Sequence, residues 1–167
     1  MVAGIDPGLE GSICVLNKDK EVIFHEVMPK IGEELDLKEL SSIFMKLKTE
    51  IGVNLVILEK SQTRPNQSSQ SGLKTGRNYG ILEGMLAMLS IPYRETRPQE
   101  WAKLLTPIKK GKKKLSASQA YKLRKERNLR EAQKLFPLVD FRASEKCRVA
   151  HSGKVDSILI ANFGLTL

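Results

Sequence analysis

Apolar and polar positions along the chain change period several times, and each change predicts an element. Val2-Ala3-Gly4-Ile5-Asp6 is small and apolar up to a carboxylate, and Pro7-Gly8 then breaks the ladder. A second apolar run, Ser12-Ile13-Cys14-Val15-Leu16, starts four residues after Gly8, so the two read as a hairpin. Val22, Ile23, Phe24 and Val27 predict a third strand after the turn at Asn17-Lys18-Asp19, completing an antiparallel meander. The stretch around Pro29-Lys30-Ile31-Gly32 reads as a plain connection. Asp36 is placed to cap a helix with Leu37, Leu40, Ile43 or Phe44, Leu47 and Ile51 on its apolar face, ending at Gly52.

Val53 to Leu58 is almost continuously apolar, as for a strand buried on both faces, and it too ends in a carboxylate, Glu59. The polar segment Ser61 to Ser71 predicts a long loop. Ile81, Leu82, Met85, Leu86 and Leu89 predict a helix from Arg77 to Leu89. It carries Gly76, Gly80 and Gly84 on one stripe, most simply explained by packing against the sheet, with a second copy of the helix or a nucleic-acid backbone as the other close neighbours. A short strand follows from Ile91 to Thr96, then a helix opened by Pro98 with Trp101, Leu104 and Leu105. A charged helix runs from Ser116 to Phe136 and is stopped by Pro137. The last helix begins near Ser152 or Gly153, its candidate N-caps, and places Asp156 in its first or second turn among apolar neighbours.

Composition sharpens this outline. The 167 residues suit one domain, and 41% hydrophobic with 28% charged residues is ordinary for a globular protein. The charge balance is not ordinary: 28 Lys and Arg against 19 Asp and Glu leave +9. That excess points to a polyanion, nucleic acid ahead of a membrane surface. No apolar run reaches the length of a bilayer span and no secretory signal is expected. Two cysteines in dissimilar settings, Cys14 and Cys147, argue against a disulfide framework or zinc site and fit a reducing, cytoplasm-like compartment.

Three carboxylates therefore stand at element ends: Asp6, Glu59 and Asp156. Each taken alone also reads as a surface or turn residue. Together at one end of a sheet they form a hard-oxygen donor set suited to Mg²⁺, which binds through few carboxylates plus phosphate oxygens. Two such ions about 3.5–4 Å apart serve phosphodiester hydrolysis. The densest basic run, Lys109, Lys110, Lys112, Lys113 and Lys114, suits phosphate contact as well as simple solvation.

Gly4-Ile5-Asp6-Pro7-Gly8, Ile57-Leu58-Glu59-Lys60 and His151 through Ala161 resemble, in order and approximate spacing, the three acidic motifs of RuvC-type Holliday junction resolvases. Arg77-Asn78-Tyr79-Gly80, Ile91-Pro92-Tyr93, Pro98-Gln99 and Trp101 look closest to the phage-type and plant-chloroplast branch. The resemblance spans residues 2 to about 165. It implies an RNase H-like fold, a five-stranded mixed α/β sheet flanked by helices, in a homodimer that resolves four-way DNA junctions by paired symmetric nicks. Asp6, Glu59 and Asp156 would then be metal ligands, with two Mg²⁺ ions that Mn²⁺ can replace. Where many relatives carry an Asp or His three or four positions before the last acid, this chain has Gly153 and Ser152. His151, five before, is the candidate substitute, and Lys154 is a candidate cation for the transition state. DNA-contact candidates are Gln62, Arg64, Lys74, Arg77, the 109–114 lysines, Lys146 and Arg148. The loop after Glu59 has no aromatic wedge. A bacterial or phage-infected cytoplasm is the expected setting. Rival readings are a junction-binding protein with weak or no cleavage and a nuclease for hybrid or other branched substrates. A two-domain sugar-kinase-type ATPase would need about twice this length and a second Gly-rich motif.

Overall fold

A computed structural model describes residues 1–61, 68–108 and 115–167. Its centre is a five-stranded sheet in the order β3-β2-β1-β6-β7. The strands are β1 (Val2–Asp6), β2 (Ser12–Leu16), β3 (Val22–Val27), β6 (Leu55–Glu59) and β7 (Tyr93–Thr96). β1, β2 and β3 pair antiparallel as the predicted meander, and β6 and β7 add on in parallel. Between β3 and β6 come a small hairpin, β4 (Lys30–Ile31) with β5 (Glu34–Leu35), and helix α1 (Leu37–Thr49). The expected plain connection at residues 29–32 is thus a two-stranded ribbon, turned by Gly32 at φ +60°.

Period two divides the sheet between two cores. Ala3, Ile5, Val56 and Leu58 face α1 and α2 (Ser69–Met88). Leu16, Ile57 and Cys14 face the other layer, made of α3 (Pro98–Trp101), α4 (Ala117–Leu135) and α5 (Ser152–Gly164). Asp36 caps α1 by accepting from the amides of Lys38 and Glu39, as the sequence indicated. Ser116 and Gln119 form a reciprocal capping box at the start of α4. Cys14 and Cys147 are both free thiols. Among the described residues no helix is long and apolar enough to cross a membrane.

Two expectations for α2 need correction. α2 begins at Ser69, eight residues before the predicted start, because Ser68 caps it by accepting from the Ser71 amide. Its first turns are polar and exposed, so no apolar period announced them. The glycine stripe does not pack on the sheet: Leu82 and Leu86 do, and a Cβ built on Gly76, Gly80 or Gly84 would meet nothing within 4 Å. The stripe faces outward.

The close approach that matters is elsewhere. α5 is buried on nearly every side, as expected of a helix apolar all round. It crosses β1 so tightly that a Cβ on Gly4 would lie 2.3 Å from the Ala161 amide nitrogen and from the Ser157 carbonyl oxygen. Gly153, at its start, sits against the β1–β2 turn, where a Cβ would fall 2.4 Å from the Glu10 carbonyl oxygen. Gly4→Ala should therefore destabilise the protein by about 3 kcal/mol or more, since backbone has to move. In the monomer, where nothing lies against it, Gly84→Ala should instead stabilise the fold by up to about 1 kcal/mol. Urea unfolding of both variants measures the contrast.

Candidate active site

Asp6 ends β1 and Glu59 ends β6. The parallel register pairs Ile5 with Leu58, so these two acids follow one step later on neighbouring strands, both on the face that α5 covers. Asp156, one turn into α5, descends onto the same spot. The three carboxylates line one cavity of about 580 Å³. Gly8, Glu10 and Ser152 extend its acidic side; Pro98, Gln99, Trp101 and Ala102 form a second wall; Tyr121, Arg124, Lys125, Arg127 and Asn128 of α4 form the third.

Each acid is held differently. Trp101 donates its Nε1–H to Glu59 Oε2 at 2.7 Å. Asp6 Oδ1 accepts a longer bond of 3.3 Å from the Gly8 amide. Asp156 is the most strongly held: Lys125 Nζ donates to its Oδ2 at 2.5 Å and Asn128 Nδ2 to its Oδ1 at 2.8 Å. Asn128 is itself only 5% exposed, and its Oδ1 accepts from the Arg127 guanidinium, at 2.8 Å for Nη2. A relay thus runs from Arg127 through a buried amide to the last acid. Such an amide would be costly inside a protein unless both its ends were satisfied, as they are here.

The charge balance inside the cavity is unfavourable. Burial, then the Asp156 charge, pushes the Asp6 carboxyl up to about 6. Burial, then the charges of Asp6 and Asp156, pushes Glu59 up to about 8. Lys125 answers part of this: burial, the largest influence, opposes its charge, but Asp156 together with Tyr121 and Asp6 outweighs it and its pKa is raised. The remaining deficit of positive charge, on all-oxygen donors, is what a hard divalent cation supplies. Among the described residues no group of three His, Cys, Asp or Glu is gathered tightly enough to hold one ion.

The other sequence candidates among the described residues fall outside this cavity. His151 rather than Ser152 or Gly153 caps α5: its Nδ1 accepts from the Lys154 amide at 3.4 Å, and its Nε2 lies 3.7 Å from Glu10 Oε2. Lys154 directs its ammonium to the carbonyl oxygens of Asp140 and Arg142, at 3.2 and 3.3 Å. Lys74 and Arg77, on α2, pair with Glu33 and Glu34 of the small ribbon. Lys146 and Arg148 stand on the loop before α5, held by the Arg142–Ala150 bridge. Gln62, Arg64, Lys109, Lys110, Lys112, Lys113 and Lys114 lie outside the described residues.

Trp101, Lys125 and Asn128 are the site residues that sequence reasoning passed over. The signal for two of them was present: Tyr121, Arg124, Lys125 and Asn128 follow i, i+3, i+4, i+7 spacing on one helix face. From sequence that Lys/Arg-rich helix reads as a grip on DNA arms, not as the holder of the last acid.

An RNase H-like architecture is the class to which this sheet order and flanking helices belong. No protein-family model matches the chain, and no curated protein sequence does. Among solved structures it is similar to Thermus thermophilus RuvC in complex with a Holliday junction substrate, with TM-score 0.67 and 17% identity over 97% of this chain and 90% of that one. A further Thermus thermophilus RuvC structure matches with TM-score 0.62 and 17% identity, over 97% and 91%. The yeast mitochondrial Holliday junction resolvase Ydc2 matches with TM-score 0.52 and 22% identity, over 98% and 77%. At such identities the likeness is one of fold.

The raised Glu59 pKa has a measurable consequence. A carboxyl whose folded pKa exceeds its unfolded value stabilises the fold below the unfolded value, and that stability is lost as pH rises through the folded one. In EDTA, wild-type stability should therefore fall by about 1 kcal/mol between pH 7 and 9. Glu59→Gln, which keeps an acceptor for Trp101, should abolish that slope. Saturating Mg²⁺ should reduce it in wild type. Urea unfolding at the two pH values reads all three.

Proposed function

We propose that this protein is a metal-dependent endonuclease that resolves four-way DNA junctions. The observation that carries the proposal is the convergence of Asp6, Glu59 and Asp156 in one cavity walled by the basic face of α4. It occurs on the fold shared with a RuvC seen bound to a Holliday junction substrate. The ordered acidic motifs, their likeness to the phage-type and chloroplast branch, and a net charge of +9 support the same reading.

Asp6, Glu59 and Asp156 would hold one or two divalent ions, Mg²⁺ with Mn²⁺ as a substitute. When bound, such ions supply a nucleophile from water at neutral pH and positive charge at the leaving oxygen. The chain's own groups do the rest. Arg124 and Arg127 draw a phosphate towards an otherwise acidic cavity. Lys125, beside Asp156, steadies negative charge developing on the phosphate oxygens. Trp101 and Asn128 fix the Glu59 and Asp156 carboxylates, so little reorganisation is needed as the reaction proceeds. His151 and Lys154 act more remotely on this reading: both hold the start of α5, and through it Asp156.

Cutting two strands symmetrically requires two sites, and we propose a homodimer formed through the outward face of α2. Its open glycine stripe lets another helix approach closely, and the exposed Leu73 and Met88 extend the same face. Gly80→Arg should convert a dimer to monomers in sedimentation velocity, with the fold retained by circular dichroism.

The central test uses a synthetic four-way junction. Wild type should produce paired nicks in Mg²⁺ and none in EDTA. Asp6→Asn should lower cutting at least about 100-fold with binding retained, and Lys125→Met by about 100-fold. Tight binding without nicks in Mg²⁺ or Mn²⁺ would replace the proposal with a junction-binding protein. Faster cutting of an RNA–DNA hybrid would replace the substrate.

A further inference from the structure

We infer that Tyr121 is a stacking platform for an unpaired nucleobase beside the phosphate that the acidic cavity receives. The inference rests on the nuclease reading and adds to it a contact that neither the acidic motifs nor the shared fold supplies.

Two aromatic side chains line the cavity, and they are used in opposite ways. Trp101 is 3% exposed and spends its ring nitrogen on Glu59. Tyr121 is 46% exposed, at the rim, on the helix that brings the basic groups. α4 packs into the protein through Leu129, Ala132 and Phe136, further along the helix, so the Tyr121 ring is not needed to seat it. Arg124 Cζ lies 5.9 Å and Lys125 Nζ 5.6 Å from the ring centroid. An aromatic ring ringed by cations, on an open cavity, is the combination that binds single-stranded nucleic acid: the charges track the backbone and the ring takes a base.

Distance ties the ring to the reaction centre. Lys125 Nζ stands 5.6 Å from the ring centroid and 2.5 Å from Asp156 Oδ2, so ring and carboxylate are within about 8 Å of each other. That is at most about two steps of a stacked strand at ~3.4 Å per nucleotide. A phosphate seated among the carboxylates therefore carries a neighbouring base to the ring. Bases inside a duplex present only their edges, so the ring can take a base only where pairing or stacking is broken, as at a branch point. Stacking is also tolerant of base identity. The polar segment after Glu59, residues 61–71, contains no aromatic.

The test uses the full-length protein in EDTA, where cutting is absent, and a mixed-sequence single-stranded oligonucleotide carrying 2-aminopurine. Wild type and Tyr121→Phe should quench 2-aminopurine on binding, because both rings stack. Tyr121→Leu and Tyr121→Ala should lose the quenching and bind about 5- to 100-fold more weakly. Their salt dependence should match wild type, since no phosphate contact is removed, whereas Arg124→Ala should flatten the salt slope by about one phosphate. Unchanged quenching and affinity in Tyr121→Ala would overturn the inference, as would a loss accompanied by a flattened slope in the Tyr121 variants. If wild type cuts four-way junctions while Tyr121→Ala behaves as wild type, only the stacking role falls. If wild type binds no DNA, single-stranded or branched, the nuclease reading falls with it.

Discussion

The constraint on which the site depends is the contact of α5 with β1. Side chains on a helix and on a sheet ordinarily keep the two surfaces apart. Here Gly4 removes one of those side chains where the Ser157 carbonyl and Ala161 amide pass over the strand. Gly153 removes another where the helix start meets the β1–β2 turn. Two missing Cβ atoms lower the helix until its single carboxylate, Asp156, shares a cavity with strand-end acids from β1 and β6. The geometry of the acidic cluster is thus a packing result before it is an electrostatic one.

The electrostatics then make that packing expensive. Three carboxylates in a half-enclosed space repel one another, and burial adds to the effect, so Asp6 and Glu59 both retain their protons more tightly than free side chains do. The fold tolerates this by bringing α4 across the cavity. Lys125 neutralises Asp156, and Asn128 passes the second Asp156 oxygen on to Arg127. A cavity acidic at its floor and basic along one wall is poorly satisfied by itself and well satisfied by cations together with a phosphate. On the proposed reading, the same imbalance that weakens the isolated protein selects its ligands.

Much of this was legible along the chain. The short apolar runs of β1 and β6, ending abruptly in Asp6 and Glu59, announced strand ends carrying acids. Asp36 announced a helix start because a capping side chain acts within three residues. The legible features are all local. The start of α2 was missed because its first turns bury nothing, and a polar exposed helix has no hydrophobic period. The hairpin of β4 and β5 was missed because two-residue strands are too short to show alternation. Lys125 and Asn128 were visible as a helix face but not as site residues, because nothing within α4 shows that Asp156 lies opposite, 28 residues from Asn128.

By itself, then, the sequence determined which residues would be strand-end acids, where most helices start, and that the molecule carries a basic excess, because each depends on neighbours a few positions away or on a sum over the chain. The tertiary structure decided the rest. It turned the glycines of α2 outward and made Gly4 and Gly153, rather than those, the points of close approach. It sent Lys154 to backbone carbonyls and chose Lys125 as the cation beside the last acid. Such choices depend on the distance between surfaces that meet only when the chain has folded, and no local pattern records that distance.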